Sequence, residues 1–216
     1  MKNRLLFLLV LACCIWTTPA LAQLSRGAFR LSLDVDVLSV AHVSINPDGP
    51  MPSDDRLVFG LGANQLGGSR RWAPTPPVGL GLHWVLTPKI MLGGRIGLGY
   101  DLIDAEGDAP NTRILSVVLM PSLEIVPIGH RAKLFIALRP LFQANRIKVG
   151  DFKDRWITGG FSVGIGTYIF PSPAVSADIG FFFEGRFGNR KINDNEPNAQ
   201  VADLRGVIRF GLSLWR

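Results

Sequence analysis

His42 and Ser44 stand two positions apart, a spacing that in an extended chain places both side chains on one face. A histidine beside a serine is the smallest set that supports nucleophilic ester chemistry, the ring taking the proton as the oxygen attacks. No acid that would orient the ring can be assigned from the sequence, so both are read as polar side chains of a strand. His83 and His130 complete a scattered set of three histidines without cysteine partners, which builds no metal centre. Asp34 and Asp36 could grip a cation, but the basic residues that share their alternation make ion pairing the better role. The Gly60-Leu-Gly62 and Gly97-Leu-Gly99 pairs are followed by no helical pattern and are not phosphate loops. No catalytic residue, cofactor or metal ligand is assigned.

The charged residues are better organised than these candidates. Arg30, Arg95, Lys133, Arg139, Arg186, Arg205 and Arg209 alternate with apolar neighbours, and so do Asp34, Asp36, Asp101, Glu124, Asp178, Glu184 and Asp203. Seven bases face seven acids, enough for a self-neutralising network wherever one face of the chain gathers them. A second basic set, Arg70, Arg71, Lys153, Arg190 and Lys191, with Lys148 and Arg155 beside it, falls between or at the ends of the alternating segments. Guanidinium forks there suit phosphate.

The elements that position these residues begin after an address. Lys2 and Arg4 precede an apolar run at 5–16, and Ala20-Leu21-Ala22 supplies a small-x-small cleavage pattern. Residues 1–22 therefore read as a cleaved export signal and 23–216 as one mature domain. Leu11-Ala12-Cys13-Cys14 also loosely resembles a lipidation box, the alternative being an anchor on Cys13 or Cys14. Both cysteines of the chain lie in this segment, so the mature part has no disulfide and must hold by backbone pairing and packing. Removing Lys2 and Arg4 takes the formal charge from +6 to +4. For an exported chain the nearest polyanions are lipid phosphates, and no nucleic acid partner is expected.

Beyond the signal no apolar run reaches the length of a spanning helix, and 24 glycines in 216 residues disfavour helix altogether. Period two appears instead. Eight segments, at 29–45, 78–86, 90–101, 115–125, 133–143, 157–169, 175–187 and 203–214, each set an oily face against a polar one. Connections are short after the second, fourth and sixth segments and longer after the first, third, fifth and seventh. A further apolar stretch at 57–61 could raise the strand number to ten. The segments exceed the 5–6 residues usual for soluble strands and suffice for a tilted membrane crossing of about 9–11 residues. This predicts an all-β, antiparallel, up-and-down transmembrane barrel of eight strands, its lumen filled by polar and charged side chains. Ions in so narrow a space must pair to offset their desolvation. Pro121 and Pro140 fall mid-strand, where bulges are expected.

On this pattern the mature chain resembles the small eight-stranded outer-membrane barrels, the OmpA transmembrane domain and OmpX-like proteins. The resemblance implies a place in the bacterial outer membrane and a role as anchor, surface protein or adhesion factor. The last strand, 206–216, resembles the C-terminal signal read by the barrel-assembly machinery, although it ends Trp215-Arg216. The His42/Ser44 spacing is similar to that of lipid A deacylases, in which the pair must reach lipid; unbroken alternation points this pair to the lumen instead. The expected function is a non-enzymatic, monomeric structural or surface-interaction barrel. Lipopolysaccharide is its expected partner, through Arg70, Arg71, Lys153, Arg190 and Lys191. A lipid-modifying enzyme and a narrow channel are the alternatives.

Overall fold

In the computed structural model, each alternating segment forms an antiparallel strand. Residues 25–47, 54–61, 64–66, 78–103, 111–126, 132–193 and 198–216 are described; the segment 1–22 expected to be an export signal, Arg70, Arg71 and His130 lie outside them. The strands are β1 (Phe29–Pro47), β2 (Asp54–Leu61), β3 (Asn64–Leu66), β4 (Val78–Thr87), β5 (Ile90–Ile103), β6 (Thr112–Ile125), β7 (Ala132–Val149), β8 (Phe152–Ser172), β9 (Val175–Ile192) and β10 (Asn198–Trp215). Sequence neighbours pair from β4 through to β10, and β10 returns to β1, closing a ring of eight. The main chain of Arg216 completes this seam, exchanging two hydrogen bonds with Phe29 at 2.8 and 3.0 Å. The stretch at 57–61 is β2, a strand outside the ring. It pairs with Leu38 to Ile45 of β1, above the point where β4 leaves that edge at Val35.

Alternation decides which way each side chain faces. Along β7, Phe135, Ala137, Arg139, Leu141, Gln143, Asn145 and Ile147 are buried, while Leu134, Ile136, Leu138 and Phe142 are exposed. Within the apolar band the strands of the ring present an oily outer surface and turn their charges inward, the inverse of a water-soluble sandwich. On β7 the outer apolar band runs from Leu134 to Ala144, about 25 Å of height for a strand tilted near 40°.

Three departures from simple alternation have identifiable causes. A bulge between Asp36 and Leu38 leaves Val37 without a partner on β10, so Val37 and Leu38 both face outward. Below the bulge Arg30, Ser32, Asp34 and Asp36 point inward; above it Ala41, Val43 and Ile45 do. The expectation that His42 and Ser44 point to the lumen is therefore corrected: His42 is exposed on the outer face, and Ser44 shares its parity.

The bulges expected at Pro121 and Pro140 are also absent. β6–β7 register is the same on either side of the prolines, Leu119 opposite Phe142 and Leu123 opposite Leu138, which places Pro121 opposite Pro140. Three residue pairs between those points drop out of the ladder. Two prolines in one hydrogen-bonded pair produce that lapse, because both missing N–H groups fall in a single interstrand gap.

The long connection expected after the fifth segment is a two-residue turn, Gly150-Asp151, because β7 and β8 continue as a hairpin. Gly150 takes φ 58° there, a conformation that glycine adopts without a Cβ penalty.

The bulge makes a direct prediction. In residues 23–216, which hold no native cysteine, spin labels at His42→Cys and Val43→Cys should differ after reconstitution in lipid. The label at 42 should be accessible to oxygen dissolved in acyl chains and the label at 43 shielded; the opposite ranking would restore unbroken alternation.

Candidate functional site

The inward faces of the strands converge on a few carboxylates. Glu124 of β6 accepts from Arg139 of β7 at 2.7 Å and faces Arg30 of β1 at 3.2 Å and His83 of β4 at 3.2 Å. Tyr168 of β8 donates its hydroxyl to the same carboxylate, and Ser122 adds a bond at 3.2 Å. Arg30 also donates to His83 Nδ1 at 2.9 Å, so the ring accepts at Nδ1 and presents Nε2 to Glu124. Five strands thus meet at one buried anion.

A second cluster lies beside it. Arg209 of β10 bridges Asp36 of β1 at 2.5 Å and Glu184 of β9 at 3.1 Å. Arg95 of β5 sits 3.7 Å from Asp34 and 3.8 Å from Asp36. Arg186 donates to Glu184 and to Gln143, and Arg205 pairs with Asp203. Asp178 accepts from Ser176 at 2.5 Å and from Ser213, while the indole of Trp215 donates to Ser176 at 2.9 Å.

Aromatic rings fill the space between the ions. The guanidinium carbons of Arg139 and Arg209 stand 4.5 and 4.6 Å from the Phe182 ring centroid. Phe135 stacks on Tyr168 with centroids 4.5 Å apart. Inward glycines make this packing possible. A Cβ on Gly79 would overlap the Arg95 guanidinium, and one on Gly164 would overlap Phe182. A cavity of about 20 Å³ lined by Arg30, Asp34, Arg139, Tyr168, Asp178 and Phe182, among others, is room for about one water.

The two charge sets divide with exceptions at Lys133 and Arg190. Arg30, Asp34, Asp36, Arg95, Glu124, Arg139, Asp178, Glu184, Arg186, Asp203, Arg205 and Arg209 are all buried and inward. Lys133 sits half-exposed at the mouth, its ammonium 5.9 Å from the Phe170 ring centroid. Asp101 belongs to β5, with its side chain outside the described set. Arg190 is not on the rim. It is buried against Asp154, with contacts of 2.8, 3.0 and 3.1 Å, and lies over Trp156. The reason is parity: β9 runs on to Ile192, and Arg190 keeps the inward register of Glu184 and Arg186. Continuing the alternation past Phe187 finds it from sequence. Lys191 faces outward and Lys153 is half-buried near the same end.

Glu124, Asp36, Glu184, Asp203 and Asp154 each face a guanidinium group, an arrangement suited to neutrality. On the outer face, Ser44 stands opposite Asp55 of β2, with His42 two pairs along opposite Leu57.

The Glu124 cluster predicts a large loss when its anion goes. Glu124→Leu leaves Arg30 and Arg139 buried without their counter-charge and should cost about 3–5 kcal/mol in lipid-supported unfolding titrations. A loss below about 1 kcal/mol would show that the cluster is hydrated and weakly coupled.

No protein-family model and no curated protein sequence matches the chain. Among solved structures it is similar to the outer-membrane protein OprG from Pseudomonas aeruginosa, with 12% identity, 90% of this chain and 99% of that one covered, and a TM-score of 0.55. Neisserial surface protein A matches at 12% identity over 88% and 99% of the two chains, TM-score 0.44. The outer-membrane protease OmpT from Escherichia coli matches at 8% identity over 88% and 97%, TM-score 0.46. The inverted faces, the closed ring and the ion-paired interior together give the chain the fold of the small bacterial outer-membrane β-barrels.

Proposed function

We propose that the protein is a closed, non-conducting barrel of the outer membrane, a structural and surface-interaction module assembled as a monomer. The observation that carries this reading is the interior: buried ion pairs, hydrogen bonds and aromatic rings span it from Trp215 and Ser176 up to Arg190 and Trp156. A path for ions would require several of these pairs to separate at once inside a poorly hydrated space. The C-terminal strand, completing the ring through Arg216, is the segment proposed to engage the assembly machinery.

A second reading, an outer-leaflet acyl-ester hydrolase, is favoured by one observation. The bulge at Val37 turns His42 and Ser44 to the outer face and brings Asp55 opposite Ser44. Nucleophile, base and acid types are then neighbours on the side that meets lipid.

Two measurements separate the readings. Planar-bilayer recordings of the refolded mature chain should show no steady openings; large stable conductance would replace the closed barrel with a channel. Replacing His42 and Ser44 together by alanine should leave the lipid A profile of producing cells unchanged in mass spectra. Disappearance of an acyl modification would move the hydrolase to the front.

A further inference from the structure

The formal charge of residues 23–216, +4, is not spread evenly over the barrel. Among the described residues, seven arginines and seven acids are buried in the lumen and cancel. Toward the loop end the sequence sets nine Lys and Arg against ten Asp and Glu. The opposite end, where residues 25–28 and 216 meet the connections at 88–89, 126–131 and 173–174, holds Arg26, Lys89, Arg131, Lys133 and Arg216. It has no acid: 23–28, 86–91, 126–135, 170–175 and 214–216 contain neither aspartate nor glutamate. The net positive charge therefore sits at one mouth, the turn end.

Main-chain contacts fix three of these cations on the rim and leave their side chains in solvent. Arg216 exchanges two hydrogen bonds with Phe29 at the β1–β10 seam. The Lys89 carbonyl accepts from the Val126 N–H at 2.8 Å, and its N–H donates to Thr87 Oγ1 at 3.3 Å. Arg26 precedes Gly27, whose N–H donates to the Val85 carbonyl at 2.9 Å. Arg26, Lys89 and Arg216 are exposed, and Lys133 is half-exposed beside Phe170. Among the described residues none of the four has a carboxylate within ion-pair distance, and the connection at 127–131 contains no acid to supply one. Like charges gathered on one rim repel, and an anion from outside the chain reverses the sign of that interaction.

The height of the rim selects the anion. Arg216 lies two residues beyond the outward Leu214, Lys89 one before Ile90 and Lys133 one before Leu134. At about 3.4 Å per residue, these positions stand within about 7 Å of the last lipid-facing side chains. That is inside the reach of a Lys or Arg stem and at the depth of the nearest lipid phosphates. The cations come from the β1–β10 seam, the β4–β5 turn and β7, separate sectors of the ring. One small ligand cannot bridge them, whereas a leaflet offers a phosphate to each. We propose that Arg26, Lys89, Lys133 and Arg216 form a docking rim for anionic glycerophospholipid headgroups in the leaflet at the turn end, the inner leaflet of an outer membrane. The inference rests on the outer-membrane reading, in which short turns face the periplasm.

The test uses residues 23–216 refolded in nanodiscs of phosphatidylcholine with a minor share of phosphatidylglycerol, folding being checked by heat-modifiable gel mobility. Native mass spectrometry then counts the lipids retained, and the wild type should hold phosphatidylglycerol well above its share. In the variant Arg26→Gln, Lys89→Gln, Arg216→Gln that preference should fall at least about tenfold, given the attraction of each cation for an anionic headgroup. This variant should unfold no more easily than the wild type in pure phosphatidylcholine, since no carboxylate loses a partner. Removing the same charge at the loop end, by Arg113→Gln, Arg146→Gln and Lys148→Gln, should leave the preference in place. A folded turn-end variant that keeps the wild-type preference overturns the rim, and an equal loss in the loop-end variant reduces it to net charge. Capture of the wild type by a polyglutamate peptide, with no preference for phosphatidylglycerol, overturns lipid as the partner in favour of an acidic chain. Labelling of Lys89→Cys on intact cells by a membrane-impermeant maleimide overturns the inner-leaflet placement. Failure of the wild type to fold in lipid strikes the barrel reading itself and is separately visible on the gel.

Discussion

A strand that crosses hydrocarbon has nowhere to put an unpaired N–H or C=O group, and each one left bare costs several kcal/mol. Every other feature of this molecule follows from that constraint. It forces β10 back onto β1, carries hydrogen bonding to Arg216, and closes the eight strands into a ring. It also explains the prolines. Two residues that cannot donate are least damaging when they face each other, because the lapse stays in one gap while β5 and β8 pair normally on either side.

Closure creates the second problem, a narrow interior lined by one side chain in two from eight strands. Polar residues cannot face lipid, so they must go inward, and once inward they must satisfy one another. The Glu124 cluster does this across β1, β4, β6, β7 and β8, and the Arg209 cluster across β1, β9 and β10. Buried ion pairs of this kind add little net stability compared with apolar packing. Their value here is specificity. A one-residue slip of any strand would swing its charges into lipid and its leucines into the lumen. The glycines opposite Arg95 and Phe182 belong to the same solution, giving large side chains room in a small bore.

Alternation made most of this legible from the chain alone. The strands, their facing and the inward charges at Arg30, Glu124, Arg139, Glu184 and Arg209 follow from period two, since burial on one side of a pleat leaves a direct trace in residue type. What escaped was whatever breaks or outruns the period. The bulge at Val37 reverses parity, and it hid because Ala41, Val43 and Ile45 stay apolar whether they face lipid or pack inward with Trp156 and Val201. Its one trace is the pair of adjacent apolar residues, Val37 and Leu38. Arg190 reads as a loop residue because the apolar alternation stops at Phe187, while the strand runs on to Ile192. Cross-strand register, which sets Pro121 against Pro140, depends on turn geometry and has no signature within a single strand.

The central claim is that the oily face is outside and the charges are inside, and the environment required for folding tests it most directly. Residues 23–216, diluted from urea, should remain unfolded or aggregate in plain buffer. In lipid vesicles or detergent they should acquire β-structure and heat-modifiable mobility. Cooperative folding to a soluble monomer in detergent-free buffer would contradict the account, because a chain that buries its apolar face in water is a sandwich and not this barrel.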